Sequence, residues 1–432
     1  MPQAMRFFSK NLWNEQKKTF EPGMLEILGK RFSNFSFGMP KGASARAKIL
    51  DFGNLFIGPT GIDLHIHSRS FDEVHKETFE HLDSAALKGG VSTAVCMANT
   101  FPRLDSVKRI GEFLKRAARC RVSFIPFAAV TKNLEGREPT DWKTLLELPI
   151  AGLSDDGKPI WNVEILKGAL LAGKKSRKIL SLHEEDLEIS NRSVLHLSET
   201  SMRLGVRGSP SEAESSLVKR DLELALKLKA PVHLAHISSA LSVSSIRTAR
   251  RKGLDVSAEL TPHHALLTVD DAEKFFPPDR LGAFKVCPPI REAQDRTALT
   301  RAVLEGFIDC FATDHAPHSE FEKDLPIELA AHGMTGLENF FPLMNEFRIR
   351  AKIPWSTFYH CFHRRPSQLL QHEKELGFRE GGRANLLIFD PDSKRKLQWS
   401  ASKSSNTPFE DWIIRGRVIE HWGNGAKLYD GR

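Results

Sequence analysis

The chain has 432 residues, 41% of them hydrophobic and 27% charged. That is enough for one large domain with an accessory piece or for two or three ordinary ones, and it lies outside the compositions of disordered or fibrous chains. The formal net charge of +8 comes with short, scattered basic clusters (residues 174–178, 250–252 and 394–396) and no zinc-finger or basic-region pattern, which argues against a nucleic-acid partner.

Apolar runs at 61–67, 92–98, 122–128, 150–153, 179–182, 231–235, 254–260 and 307–313 each end in polar residues. Helix-like stretches lie between them. These include 71–88, stopped by Gly89-Gly90, then 217–229, and 241–252, stopped by Gly253. Strand and helix alternating eight times predict a parallel sheet with crossover helices. Eight units favour a closed barrel over an open doubly wound sheet. No GxGxxG follows a strand and no P-loop is present, so nucleotide binding has little support. The ends read differently. Residues 1–55 are rich in Phe, Lys and Gly without a helical period, and 384–390 and 412–419 read as strands. The expected fold is α/β: a (β/α)8 TIM barrel over residues 56–379, with a small β-sandwich domain formed by both termini, 1–55 and 380–432.

The first barrel strand ends in His65-Ile66-His67. Side chains alternate along a strand, so both imidazoles face one way and can share a cation. Ligand-type residues close other strands as well: Asp156 the fourth, His183 the fifth, His236 the sixth and Asp314 the eighth. In a (β/α)8 barrel the C-terminal strand ends are where catalysis sits. Four imidazoles and two carboxylates suit borderline first-row ions, zinc above all. They suffice for two metals if one carboxylate bridges, and such a pair supplies hydroxide at neutral pH. Asp314 is then placed to move a proton to a leaving amide nitrogen.

Taken singly, each residue has a plainer reading. A lone His236 is usually a packed histidine, Asp155-Asp156-Gly157 a turn, and Asp314-His315 a helix cap. His233, His263, His264, His360, His363, His372 and His421 keep that plainer reading. The coincidence on five strand ends is what sets the six apart.

The segments Pro59-Thr60-Gly61-Ile62-Asp63-Leu64-His65-Ile66-His67-Ser68-Arg69, Met97-Ala98-Asn99-Thr100, Asp155-Asp156-Gly157, Ala235-His236-Ile237-Ser238, Glu259-Leu260-Thr261-Pro262-His263-His264, Ala312-Thr313-Asp314-His315-Ala316-Pro317-His318 and Gly336-Leu337-Glu338 follow one another in order. Together they resemble a type I dihydroorotase of the amidohydrolase superfamily, over about residues 50–390. The resemblance implies one Zn2+ on His65, His67 and Asp314, a second on His183 and His236, and Asp156 between them. It matches Arg69, Asn99 and His318 to positions that grip a substrate carboxylate. An Arg fork with directed Asn and His hydrogen bonds suits that task. The family reaction closes N-carbamoyl-L-aspartate to (S)-dihydroorotate in pyrimidine biosynthesis, or opens the ring in reverse.

The chain departs from the family pattern along the expected substrate wall. Ser70-Phe71-Asp72 follow Arg69, Ala98 stands where Pro is usual, Cys287 precedes Pro288-Pro289 in place of Asn, and His332 replaces an aromatic before Gly333. Cys287, His332 and Gly333 are therefore expected to shape the substrate pocket. The alternatives are a hydantoinase- or allantoinase-like enzyme for another carboxylate-bearing cyclic amide, and a non-catalytic scaffold for aspartate transcarbamoylase. Asp156, where hydantoinases usually carry a carboxylated lysine, favours the dihydroorotase branch. Retention of all six ligands weighs against a scaffold.

Five cysteines without a CxxC argue against a disulfide framework and fit a reducing compartment. No apolar run approaches the ~20 residues needed to cross a bilayer, and residues 1–18 lack a signal-peptide core. The expected location is the cytoplasm, with a small-molecule substrate and no membrane partner. A homodimer and association with aspartate transcarbamoylase are left open.

Overall fold

A computed structural model describes residues 4–39, 49–69, 71–275 and 278–432. In chain order the strands are β1 (Met5–Asn14), β2 (Thr19–Leu28), β3 (Arg31–Phe37), β4 (Ile49–Asp51), β5 (Phe56–Pro59), β6 (Gly61–Ile66), β7 (Val91–Cys96), β8 (Ser123–Ala128), β9 (Gly152–Ser154) and β10 (Ile179–Leu182). They continue with β11 (Leu195–His196), β12 (Gly208–Ser209), β13 (Val232–Leu234), β14 (Val256–Leu260), β15 (Cys310–Phe311), β16 (Leu386–Lys396), β17 (Ile413–Gly423) and β18 (Ala426–Asp430).

Eight of them, β6-β7-β8-β9-β10-β13-β14-β15, run side by side in parallel. These are the eight apolar runs of the sequence. Ile66 bridges His315 in parallel register, and the His67 N–H donates to the His315 carbonyl at 2.8 Å, which closes the ring. Every residue of β6 and β7 is buried. Strands covered on both faces read as continuous apolar runs rather than as alternation. The architecture is the expected (β/α)8 barrel.

The helix after β6 starts later than its sequence pattern suggests. It spans Phe79–Lys88, with Thr78 as N-cap accepting from the His81 N–H. Phe71 instead pairs with Phe101 in an isolated bridge, at a backbone φ of 78°. The helix stops where expected, because Gly90 takes φ 79°, a region that residues with a Cβ rarely enter. The other two expected helices appear as Glu212–Leu228 and Ala240–Arg251. No helix among the described residues is long and apolar enough to cross a membrane.

Both ends of the chain enter one further sheet, in the order β18-β17-β16-β5-β1-β2-β3, with β4 also on β1. Its hub is β5, parallel to β1 and antiparallel to β16. The phenylalanines of the N-terminal stretch have their use here. Phe20 meets Trp355 of the helix Trp355–Tyr359 at 5.3 Å between ring centroids, and Phe389 meets Phe341 of the helix Phe340–Arg350 at 4.7 Å. Such edge contacts add about 0.5–1.5 kcal/mol each beyond the area they bury. They seat the terminal sheet on the barrel whose next strand, β6, follows β5 directly.

His421 of β17 is fully buried against the first barrel helix and donates from Nδ1 to the Leu87 carbonyl at 3.0 Å. Burial pushes its pKa down to about 4. A depressed folded-state pKa gives stability that is present above the unfolded value near 6.5 and is lost as the pH falls toward 4. The drop amounts to about 3 kcal/mol. His421→Asn, which keeps a donor and cannot titrate, is expected to flatten that loss. Urea unfolding of both proteins between pH 6.5 and 4 checks it, and parallel pH profiles would contradict it.

Candidate metal centre and active site

The six ligand-type residues stand at one rim of the barrel. His65 lies within β6 and His67 just beyond it, their ring centroids 5.4 Å apart. Asp156 follows β9, His183 follows β10, His236 follows β13 and Asp314 follows β15. All six are buried. The donor atoms of His65, Asp156 and His236 lie within 4.8 Å of one another, and so do those of His65, His67 and Asp314. Asp156 Oδ1 is 3.4 Å from His65 Nε2, 3.6 Å from His183 Nδ1 and 3.7 Å from His236 Nε2. Its Oδ2 is 3.7 Å from His67 Nε2. One carboxylate thus faces all four imidazoles. Asp314 Oδ1 completes the group of His65 and His67, at 2.9 Å from His67 Nε2 and 3.5 Å from His65 Nε2.

The arrangement fits a cation by three observations. His65 Nε2 and Asp156 Oδ1 are buried with no hydrogen-bond partner, although buried polar atoms are ordinarily satisfied. His183 Nδ1 and His236 Nε2 point at each other across 3.0 Å. Burial opposes a charged ring at His65, yet Asp156 and Glu259 push its pKa well above the usual imidazole value. A pocket that holds a proton so firmly is one in which a divalent ion can take the proton's place. Burial would raise the Asp156 pKa, but His65, His183 and His236 hold it well below the carboxylate range. Asp314 is likewise held down, against burial, chiefly by its bond to His67 and the charge of His65.

Backbone geometry marks the same places. Arg69, His236 and Asp314 have φ of 49°, 31° and 48°, the left-handed region that costs a non-glycine residue about 1–3 kcal/mol unless its surroundings enforce it.

The residues expected to contact substrate sit beside this cluster. Burial lowers the pKa of the Arg69 guanidinium, which donates from Nε to the Pro317 carbonyl at 3.2 Å and places Nη2 3.1 Å from His318 Nε2. His318 donates from that nitrogen to the His332 carbonyl at 2.9 Å. Burial, reinforced by Arg69, pushes its pKa down to about 2, so the ring is neutral. Asn99 is engaged with the metal-type ligands: His67 Nδ1–H donates to its Oδ1 at 2.8 Å, and its Nδ2 donates to Asp156 Oδ2 at 3.0 Å. Cys287 Sγ lies 3.7 Å from His183 Nε2, its thiol pushed up to about 12 by burial. His332 is exposed, and desolvation by its neighbours, with the charges of Lys285 and Lys323, lowers its pKa. Gly333 takes φ 126° with Ala316 packed where a Cβ would project. Ser70, one of the departures noted above, lies outside the described residues.

Several site residues escaped sequence reasoning. Asp63 Oδ1 accepts from the His65 and Thr313 N–H groups at 3.1 Å each, and its Oδ2 accepts from Thr313 Oγ1 at 2.6 Å. It therefore ties the first ligand strand to the segment before Asp314. Glu259 and His233 sit behind His65 and His236. Glu185 Oε2 lies 3.7 Å from His183 Nε2. Asp63 and Glu259 each place a carboxylate inside an otherwise apolar barrel strand, and that was the signal available. Of the histidines left aside, His264, His363 and His421 hold backbone carbonyls as packed rings do.

Fold and site together define a barrel hydrolase of the class that holds divalent metal on histidine and aspartate. Comparison with known proteins narrows the class. A family described as "Dihydro-orotase-like" matches residues 53–242. A dihydroorotase of Bacillus cytotoxicus is 34% identical over 378 residues, 87% of this chain and 87% of that one. One from Clostridioides difficile is 32% identical over 385 residues, 89% and 90% of the two chains. The chain belongs to the dihydroorotase family. Among solved structures, an L-hydantoinase (dihydropyrimidinase) from Arthrobacter aurescens superimposes with a TM-score of 0.85 over 100% of this chain and 96% of that one, at 21% identity. A dihydropyrimidinase from Brevibacillus agri NCHU1002 gives 0.82 over 100% and 95%, at 19% identity. These two neighbours share the fold.

Asp156→Ala removes the side chain common to all four imidazoles. The expected result is loss of at least half of the bound divalent metal with the far-ultraviolet circular dichroism unchanged, read by mass spectrometry of the purified protein. Wild-type metal content in that variant would show that Asp156 holds no ion.

Proposed function

We propose that this chain is a dihydroorotase, closing N-carbamoyl-L-aspartate to (S)-dihydroorotate in de novo pyrimidine biosynthesis and opening the ring in the reverse direction. The observation that carries the proposal is the convergence of His65, His67, Asp156, His183, His236 and Asp314 on one rim, beside the Arg69–His318 pair. The family relationship supports the substrate.

In this reading His65, His67 and Asp314 would hold one Zn2+ and His183 and His236 a second, with Asp156 available to both. Bound there, they supply Lewis acidity and hydroxide at neutral pH. The chain's own residues do the rest. Asn99 orients His67 and Asp156 through its two hydrogen bonds. Arg69 holds the substrate carboxylate, and neutral His318 lies within hydrogen-bond reach of the same place. In ring opening, the C–N bond of the cyclic amide breaks, water's oxygen joins the carbonyl carbon, and a proton passes through Asp314 to the departing nitrogen. Its bond to His67 and the charge of His65 keep Asp314 ionised, the form that can take up the proton before passing it on. In ring closure the same residue returns the proton and water leaves.

A second reading, a sister hydrolase for another carboxylate-bearing cyclic amide, is favoured by Cys287 and His332 at the pocket wall. We further propose residues 1–55 with 380–432 as a small β domain and 56–379 as the barrel, β5 being the link between them. A cytoplasmic location, a homodimer and association with aspartate transcarbamoylase complete the proposal.

Purified protein is expected to turn over dihydroorotate, and hydantoin and allantoin much more slowly. Inertness toward dihydroorotate with activity on either other ring would favour the second reading. Arg69→Met is expected to raise KM about 10–100-fold with metal content retained, the loss of a hydrogen-bonded charge worth about 1.5–3 kcal/mol. An unchanged KM would remove Arg69 from substrate binding.

A further inference from the structure

One carboxylate stands behind both halves of the metal-type cluster. Glu259, on β14, is fully buried. Its Oε2 is 3.1 Å from His65 Nδ1 and accepts from the His236 backbone N–H at 3.2 Å. Its Oε1 is 2.8 Å from His233 Nε2, and His233 Nδ1 is 2.7 Å from Ser257 Oγ. The chain of hydrogen bonds is therefore Ser257 to His233 to Glu259, ending on His65 and on the backbone of His236.

The tautomers follow from these contacts. With Glu259 ionised, His65 donates from Nδ1 and aims Nε2, the atom left without a partner, at Asp156 and Asp314, where an ion could displace its proton. His233 donates from Nε2 and accepts the Ser257 hydroxyl proton. A carboxylate accepting from a ligand imidazole fixes the ring and raises the basicity of the nitrogen that meets the ion. Glu259 does this for His65, which belongs to both ligand groups. Through the N–H of His236 it also holds a left-handed backbone, φ 31°, that carries a ligand of the second group. Burial of the carboxylate is compensated by three donors, so its charge persists where an unpaired one would not.

We infer that Glu259 is a positioning residue that sets the affinity of both metal positions at once. Resting on the two-metal reading above, this adds that the two positions are linked through a residue touching neither ion. His233, which reads from sequence as packing, is the outer anchor of that link.

Glu259→Gln keeps the shape and removes the charge. His233 can follow by moving its proton to Nδ1 and donating to Ser257. Zn2+ release from the holoprotein to a chromophoric chelator of known affinity reads the outcome, with the melting temperature of the metal-free proteins as the control. The expected result is about a 10–100-fold weaker hold on both ions, with metal-free melting close to wild type and partial recovery in Glu259→Asp. Unchanged affinity in Glu259→Gln, or weakening at one ion alone, overturns the inference. Should Glu259→Gln fail to fold, Glu259→Asp decides the matter: its shorter arm cannot serve His65, His236 and His233 together, so wild-type affinity there also overturns it. A wild-type chain that takes up no Zn2+ overturns the metal reading and this inference with it.

Discussion

Two carboxylates, Asp156 and Asp314, are buried within reach of the same histidines at the barrel mouth, and everything else in the molecule answers to that placement. Taking a carboxylate out of water costs several kcal/mol, and only close, well-aimed partners offset it. Here the partners are four imidazoles delivered from three strand ends, β6, β10 and β13. Barrel closure brings β6 beside the segment after β15, so His65 and His67 meet Asp314. Loss of closure would leave Asp314 buried without the imidazoles of His65 and His67. Ring closure and site assembly are therefore one event.

The support runs outward from there in layers. Asp63 ties β6 to Thr313, and Glu259 ties β6 to the turn after β13. Both lie inside the barrel, where apolar side chains would pack without cost, and burial pushes the Asp63 pKa up to about 7. Polar groups kept in such positions at a cost in desolvation point to a task other than stability. Beyond them, the aromatic seam between the terminal sheet and the barrel fixes β5, and β5 passes directly into β6. Even the terminal strands thus bear on where His65 stands.

Much of this was legible in the sequence because a parallel barrel writes itself plainly. Strands buried on both faces are apolar runs, two of the helices between them, Phe79–Lys88 and Ala240–Arg251, run into glycine, and a polar residue closing such a run is conspicuous. His65, His67, Asp156, His183, His236 and Asp314 all declared themselves in that way. Boundaries were less plain. The run before Asp314 suggests seven residues of strand, while β15 pairs over only Cys310–Phe311, because neighbours and not composition decide where a ladder stops. The stretch after Arg69 reads as helix from Phe71, yet the chain stays non-helical until the Thr78 cap, where Phe71 bridges Phe101.

Second contacts were harder to read. Asn99 matched a substrate position, but its hydrogen bonds to His67 and Asp156 depend on the ends of β6, β7 and β9 converging on one rim, which no local pattern encodes. His233 looked like packing because its partner, Glu259, is 26 residues away on the next strand. The general lesson is that ligands at strand ends are visible one at a time, whereas the groups that orient them appear only once the strands are in register.

The most direct test is a crystal structure of the zinc-loaded protein with anomalous scattering recorded at the zinc edge. Two peaks are expected at the barrel mouth, one reached by His65, His67 and Asp314, the other by His183 and His236, both touching Asp156 at about 2.0–2.2 Å. A mouth free of anomalous density in zinc-saturated crystals, or ions bound only elsewhere on the chain, would contradict it.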